Sequence, residues 1–522
     1  MRDTPPPATP EKSALGDPRA NFFYRLSTAY GEQDEGKDDS YNHYLARENR
    51  RFWNRWWYAK LREGALNIKD KQRDFIQSKL ILEDKEPLTA EENTLYRHII
   101  AEVPEPENLN IIDFSELRFD RKLVYSNFVF ILTCYFNKSV VKCASDFSDA
   151  SFSGDIYFIG SSFSSGTDFS NTRFSGNTNF ISACFRSGID FSDARFGGNT
   201  DFSHASFCGD TDFSDAHFIG NSDFRRTRFE QEVTFEDAVF IPQKHIRRHQ
   251  LDARAAVFER RALFSIDKEK TPDKRELSAN FEDALFKERL DFRGRIFLTV
   301  PLFNGANLTA NFHVPDHFDD WPKAGKETKD AAEYKEDLDA YSELKRQMEQ
   351  NRRDNLKQIF LYREYEARLG YEHTDPKTKL VLALYKRLSD FGYSYTRPFF
   401  FLCLLWFASF GLHSYTVYTS VHINCEKEAN KVDFTCEYTT ERFLHDKPPS
   451  TLSRICYALP RIFYSMERSA IAATTGTLVI NFYKLPSLSG WQFALIATHK
   501  TLSALLLFLF GLGIRNRLRM NS

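Results

Sequence analysis

The sequence predicts a mostly β solenoid, followed by a long charged helix and an α-helical membrane domain of two spans. Three observations carry that expectation. Phenylalanine recurs without a slip over the middle of the chain, a breaker-poor charged stretch follows, and two apolar runs of about 24 residues, each long enough to cross a bilayer, close the sequence.

The repeat comes first. Phe147, Phe152, Phe158, Phe163, Phe169, Phe174, Phe180, Phe185, Phe191, Phe196, Phe202, Phe207, Phe213, Phe218, Phe224, Phe229, Phe235 and Phe240 are spaced five and six residues apart in alternation, a period of eleven. On a helix, steps of five and six would place them on two stripes about 140° apart. The units are also rich in Gly, Ser, Asn and Asp, which favour turns over helices. In an extended chain residues i and i−2 share a face. The residue two before every one of these phenylalanines is small or β-branched, as in Thr167, Ala183, Ile189, Thr211 and Ala216. Each step therefore points one large and one small side chain inward and then turns. Glycines beside alternate steps, as in Phe174-Ser-Gly176 and Phe218-Ile-Gly220, are expected to supply positive φ in a wider turn.

Ala150-Ser-Phe152, Ala194-Arg-Phe196 and Ala216-His-Phe218, with Thr167-Asp-Phe169, Thr200-Asp-Phe202 and Thr211-Asp-Phe213 as a variant, resemble the pentapeptide-repeat family. The resemblance implies a right-handed quadrilateral β-helix with four steps per coil. The alternation starts earlier, through Phe114, Phe119, Tyr125, Phe130, Phe136 and Val141, but with the bulkier Ile112, Leu117, Leu123 and Phe128 at the small positions, so a distorted first coil or a cap is expected there. From 114 to 240 this makes six coils, roughly 29 Å of rod at about 4.8 Å per coil. A basic insertion is expected at about 241–280, after which Phe281, Phe286, Phe292, Phe297, Phe303 and Leu308 restore the phase. The solenoid is thus expected over 111–312.

The formal net charge is −2, which gives no overall bias toward nucleic acid. Residues 146–240 nevertheless carry 15 Asp or Glu against 6 Arg and no Lys. Either the turns simply favour Asp, or the rod is a negative surface that docks on a basic partner. The resemblance adds a third option, since some soluble members of the family imitate DNA and bind gyrase.

Ahead of the rod, residues 1–110 read as a Pro-rich disordered tail and a helical region. The opening MRDTPPPATPEKSALG has no apolar secretory core. Trp53, Trp56 and Trp57 among Arg50, Arg51, Arg55 and Lys60 suit a helix on an anionic membrane surface and equally a helix capping the rod. Nucleic-acid binding is a weaker third reading.

Behind the rod, a charged helical connector is expected over 313–397, with helix from about 328 to 369. Tyr341, Leu344 and Lys345, then Phe360, Arg363, Glu364, Ala367 and Arg368, then Leu384, Tyr385, Ser389, Phe391, Gly392 and Ser394, and finally Arg397-Pro398, resemble the C-terminal half of membrane-bound bacterial pentapeptide-repeat proteins. The membrane domain is expected over 398–522, with spans at 398–421 and 491–514. Lys386, Arg387 and Arg397 before the first span, and Arg515, Arg517 and Arg519 after the second, belong on the cytoplasmic side. Both termini and the rod would then be cytoplasmic at a bacterial inner membrane. The exported loop holds Cys425 and Cys436, which an oxidising exterior allows to pair and which otherwise remain two thiols. Residues 454–484, around Thr474, Thr475, Gly476 and Thr477, stand where two-span potassium channels carry their filter. They lack TVGYG, and an interfacial amphipathic segment is the preferred alternative. His499 and Lys500 are candidate intramembrane polar residues or lie at the interface.

No phosphate loop, zinc helix or nucleophile elbow occurs, and Cys134, Cys143, Cys184 and Cys208 lack zinc-site spacing. No catalytic, metal or cofactor residue is therefore assigned. The expected function is a non-enzymatic membrane-anchored scaffold whose acidic cytosolic β-helix binds another protein. The alternatives are a channel-like or sensing protein with the β-helix as assembly or gating domain, and a DNA-mimic inhibitor. The expected partners are an unidentified protein on the acidic faces, the lipid bilayer and a second copy through the membrane domain, with nucleic acid not expected.

Overall fold

The computed structural model describes residues 15–32, 42–64, 66, 68, 70–80, 82–107, 109–241, 249–267, 269, 275–308, 311–315, 317–323, 331–408, 411 and 490–520. The chain divides into two compact units, Met1–Leu361 and Tyr362–Ser522.

The first unit is built on a parallel β-solenoid. Short strands pair with their counterparts one coil on, as Thr167↔Ile189 and Ile189↔Thr211 do, and that interval makes one coil equal to two of the eleven-residue units. Four sheets result, begun by Ile111–Asp113 (face 1), Arg118–Phe119 (face 2), Leu123–Val124 (face 3) and Val129–Phe130 (face 4). Face 3 holds nine strands, which gives about nine turns. The expected quadrilateral section with four steps per coil is what these sheets form.

Stacked phenylalanines fill the inside. The ring of Phe191 lies 4.9 Å from that of Phe213 at 2°, Phe180 lies 4.9 Å from Phe202 at 3°, and Phe196 lies 4.8 Å from Phe218 at 7°. Each face contributes such a column, spaced by the separation of paired strands, about 4.8 Å. The columns of faces 1 and 3 also meet edge to face, with Phe191 and Phe202 5.6 Å apart at 74°, a favoured aromatic geometry. The small positions let the rings close: Ala194, Ala205 and Ala216 are fully buried. Where Thr takes such a place on faces 2 and 4, its hydroxyl bonds to a carbonyl of the coil below, Thr172 to Phe147 at 2.8 Å and Thr227 to Phe202 at 2.9 Å.

The two kinds of corner differ from expectation. Positive φ falls at the corner after faces 1 and 3, on Asp149, Gly160, Asn171, Ser182, Asp193, His204 and Asp215 in succession, and not at Gly176 or Gly220. The turn there is closed by a hydrogen bond such as Ala216 N–H to the Phe213 carbonyl at 3.1 Å. Asp and Asn tolerate the left-handed region better than most residues. Gly220 is needed for a different reason: a Cβ on it would stand 2.4 Å from the carbonyl oxygen of Gly198 in the coil below.

The solenoid also continues where an insertion was expected. Leu251–Asp252, Val257–Phe258 and Ala262–Leu263 pair on Ser222–Asp223, Arg228–Phe229 and Val233–Thr234. This coil takes up more chain than those below it, yet all three strands stay in register, so the surplus is confined to the corner between Phe240 and Leu251. Phe258 and Phe264 keep the columns going, Phe258 on Phe229 at 5.2 Å and Phe264 on Phe235 at 4.7 Å. The phase hides in the sequence because Ala253 and Ala256 are out of step with the earlier spacing.

The hydrogen-bonded ladder of face 4 breaks after Val239–Phe240; Glu276–Leu277 and Ile296–Phe297 pair as a separate two-stranded sheet, and the break is bridged by a cation. Arg295 occupies a small position, two before Phe297, and is fully buried. Its guanidinium donates to the carbonyls of Phe264 at 2.6 Å, Ala238 at 2.7 Å and Phe235 at 3.1 Å. In the coils below, the carbonyl equivalent to that of Ala238 accepts from the next strand, as Ala216 accepts from Val239 N–H. The arginine supplies the donor that the next strand, Glu276–Leu277, does not. Burial holds its pKa below the ordinary value.

Both ends are capped. The first coil is regular in register, and Ile112, Leu117, Leu123 and Phe128 are large because no coil lies beneath them. Helices α1 (Phe22–Ser27), α2 (His43–Arg62), α3 (Asp70–Lys79) and α4 (Ala90–Glu102) precede it. Trp53, Trp56 and Trp57 are buried to 1 % exposure or less, which decides for the capping role and against a membrane-surface helix. Trp53 packs 5.3 Å from Phe130 and donates Nε1–H to the Val129 carbonyl at 3.0 Å, while Asn54 accepts from Val129 N–H at 3.0 Å. Arg55, buried as well, pairs with Glu92 at 3.2 Å and Glu86 at 3.0 Å. At the far end Trp321 stacks 4.9 Å from Phe297 and meets Phe360 edge-on at 4.5 Å. The helix expected from about 328 to 369 within the connector is in fact two helices, α5 (Ala331–Gln350) and α6 (Asp354–Gly370). Tyr341, Leu344 and Phe360 are buried in the solenoid's core cluster, so this part of the connector is a second cap.

In the second unit, α7 (Pro376–Ser389) is followed by a helix over 396–408 (α8) and by α9 (Gly490–Met520). Among the described residues no helix is long and apolar enough to cross a membrane, so the two-span domain finds no support there. Of the first expected span only 398–408 and 411 are described. The second lies in α9, where His499 and Lys500 interrupt the apolar run. Cys425, Cys436, Thr474, Thr475, Gly476 and Thr477 lie outside the described residues.

Phe191→Ala should cost about 3–5 kcal/mol in chemical denaturation, because a mid-column ring leaves a cavity among rings that cannot collapse. Arg295→Met, of similar volume, should cost about 2 kcal/mol or more, because the buried carbonyls of Ala238 and Phe264 lose their donor at about 1–3 kcal/mol each, while that of Phe235 keeps the Ala238 N–H. A stabilised Arg295→Met would show that the guanidinium is not replacing a strand donor.

Candidate functional site

With the interior filled by rings, whatever the solenoid does is done by its outward positions. On face 3 the second strand residue points out, and Asp146, Asp168, Asp190 and Asp212 occupy it in four consecutive coils, paired in register. Like charges directly opposite destabilise a sheet. Each of these aspartates has a local use, however: its Oδ1 accepts the backbone N–H two residues on, Ser148 at 3.0 Å, Ser170 at 2.7 Å, Ser192 at 2.7 Å and Ser214 at 2.8 Å. The turn-forming account of the acidic residues therefore holds for this column, and the column of negative charge remains as its by-product.

Face 1 is compensated. Asp201, Asp223 and Asp252 follow one another outward, but Arg225 bonds to Asp223 at 2.8 Å and Arg254 to Asp252 at 2.7 Å. Earlier in the same column Tyr135 and Tyr157 stack at 4.9 Å. At the corner before it, Asn177 and Asn199 each accept the backbone N–H of the next coil at 3.0 Å, so the asparagines too are structural.

Face 4 has the opposite sign. Arg173, Arg195 and His217 are its in-register outward residues. Burial, and after it the repulsion of Arg173 and Arg195, lowers the pKa of Lys79 on α3. The uncompensated in-register column of acidic residues is thus that of face 3. Sequence reasoning missed the basic face because charges were counted along 146–240 without being assigned to faces, although four steps per coil already make Arg173 and Arg195 neighbours.

Face 2 carries two of the repeat-region thiols. Cys184 and Cys208 stand in adjacent coils, and burial raises both pKa values, that of Cys208 to about 11. Among the described residues no group of three or more His, Cys, Asp or Glu is placed to hold a metal ion.

The second unit presents a surface of another kind. Phe399, Phe400, Leu404 and Phe407 of α8 and Leu502, Leu505 and Phe508 of α9 are exposed, as are Leu380, Val381 and Leu384 of α7. The first turns of α8 lie against the last turns of α9: Phe399 is 5.9 Å from Phe510, and a Cβ on Gly513 would meet Tyr395 at 2.9 Å. Asn516 donates to the Gly392 carbonyl at 3.0 Å. The junction rests on three successive left-handed residues, Asp390, Phe391 and Gly392, held by Tyr362, whose hydroxyl donates to Asp390 at 3.0 Å and whose ring lies 5.2 Å from Phe391. Phe391, Gly392 and the neighbouring Ser389 are thus a docking turn for α9. His499 is buried in α9 and Lys500 half-buried.

A family model described as pentapeptide repeats (9 copies) matches residues 158–206 and 191–239, the middle of the solenoid. No curated protein and no solved structure matches the chain.

Replacing Asp168 and Asp190 together by Asn should leave stability within about 0.5 kcal/mol or raise it, since the Oδ1 acceptor stays and the like-charge contact goes. Replacing each by Ala should cost about 1 kcal/mol per site through the lost turn bond. Thermal and urea denaturation of the two double variants measure the difference.

Proposed function

We propose that the chain is a non-enzymatic protein-interaction scaffold, whose solenoid binds a basic protein surface along face 3 and whose second unit anchors it to a membrane. A solenoid carrying pentapeptide repeats is consistent with a scaffold. The observation that carries the reading is the Asp146, Asp168, Asp190, Asp212 column, a straight, regular line of charge on a core too tightly filled to hold a substrate. Arg173 and Arg195 on the neighbouring face speak against an all-round imitation of a nucleic acid. The channel-like alternative depended on Thr474 to Thr477, and no described residue supports it.

Anchoring rests on the exposed apolar side chains of α8 and α9. Contiguous apolar surface of this kind marks protein or membrane contact. The ends where α8 begins and α9 stops come together, and Arg397 in the first turn of α8 and Arg515 near the end of α9 stand at those ends, with Arg387 at the end of α7. Positive residues at adjoining helix ends accord with a cytoplasmic boundary.

Two measurements test the proposal. The full chain should stay with membranes after alkaline carbonate washing, and the combined change Phe400→Asp, Leu404→Asp and Phe407→Asp should release it while the solenoid's circular dichroism is unchanged. Chemical cross-linking from intact cells should capture a partner with the wild-type chain and lose it with Asp168→Asn, Asp190→Asn and Asp212→Asn combined. Undiminished capture would remove face 3 as the binding surface.

A further inference from the structure

The second unit holds a shallow cavity of about 490 Å³ lined by Arg387, Thr396, Arg397, Phe400 and Phe401. We propose that this cavity binds the phosphate of an anionic glycerophospholipid, with its acyl chains lying along α8; the proposal rests on the membrane reading above.

The lining has two halves of different chemistry. Arg387, at the C-terminal end of α7, makes no ion pair among the described residues. Arg397 is oriented by its Nη1, which bonds to the Lys386 carbonyl and to Asp390, each at 3.3 Å. Its Nε and Nη2 have no partner among the described residues. Asp390 does not line the cavity, and its Oδ1 already accepts from Tyr362. Two guanidinium forks facing one space repel each other unless an anion lies between them, and their planar donors match phosphate oxygens. Thr396 adds a hydroxyl beside them, tied to Ser394 at 3.1 Å.

Phe400 and Phe401 form the other half, and from them the exposed apolar side of α8 runs on through Leu404 and Phe407. A free phosphate or nucleotide would leave these rings in water, and a neutral lipid would leave the Arg387 guanidinium uncompensated. A ligand with a phosphate at one end and hydrocarbon at the other satisfies both halves. No carboxylate lines the cavity to receive a choline or ethanolamine ammonium, so an anionic headgroup is favoured over a zwitterionic one.

The test uses the full chain in detergent with short-chain phosphatidylglycerol, phosphatidylcholine and inorganic phosphate as probes, followed by native mass spectrometry and by the shift in melting temperature. Phosphatidylglycerol is expected to bind about tenfold tighter than phosphatidylcholine, and inorganic phosphate more weakly than either. Arg387→Gln, which breaks no ion pair, should abolish the preference, and Phe401→Ala should weaken both lipids alike. Equal binding of the two lipids, an unchanged preference in Arg387→Gln, or phosphate binding as tight as lipid would each overturn the site. Short-chain lipids bind from solution, so a chain released by carbonate washing can still bind them. Failure of membrane anchoring and failure of this site therefore read out separately.

Discussion

Parallel, in-register pairing of each strand with its counterpart one coil on is the constraint on which the first unit depends. It fixes the distance between coils at the strand spacing, and that distance is close enough to the thickness of stacked phenyl rings for each column to close without a gap. The alternation of five and six, the alanines and threonines two before each ring, and the glycines at one corner are all consequences. A coil one residue longer on one face would turn its ring outward. Extra residues are therefore admitted only at corners, as between Phe240 and Leu251, where they leave the register of the faces intact.

Ends are where this economy fails, and both ends are met with tryptophan. Trp53, Trp56 and Trp57 at one end and Trp321 at the other present flat apolar area to columns that have no further coil. A buried indole still needs a partner for its N–H, and Trp53 and Trp321 find one in a carbonyl, of Val129 and of Pro315. Arg295 solves a third, internal end. There the break in the face 4 ladder leaves carbonyls without a strand donor, and an arginine reaches them from a position that holds alanine or threonine from 150 to 238.

Much of this was legible in the sequence. The ring positions and their inward direction follow from spacing alone, because a period enforced by backbone pairing leaves no freedom to the residues that obey it; the four-step coil followed from the family resemblance. What was not legible had a different physical source. Positive φ was assigned to Gly176 and Gly220, yet left-handed backbone falls on Asp, Asn, Ser, His and Gly160, and those two glycines serve close approach between coils. The continuing coil at 251–263 was missed because its alternation is interrupted by a corner, which local spacing cannot distinguish from a break. Arg295 left a visible signal, a large charged residue where the steps from Phe147 to Phe240 have a small or β-branched one. The balance between faces was hidden as well, since a count of charges along 146–240 mixes residues that point in four directions. In the second unit, apolar length suggested spans, whereas the described residues show exposed apolar faces on α7, α8 and α9.

The regularity of the face 3 column also makes it a graduated scale. Its carboxylates repeat at about 4.8 Å, whereas successive turns of an α-helix repeat at about 5.4 Å. A basic helix laid along the column would match one aspartate and fall about 2 Å out of step three rungs later. A stack of strands edge-on would stay commensurate over the whole length. The spacing that closes the core thus discriminates among binders by period, and it does so along a surface whose individual side chains are all alike.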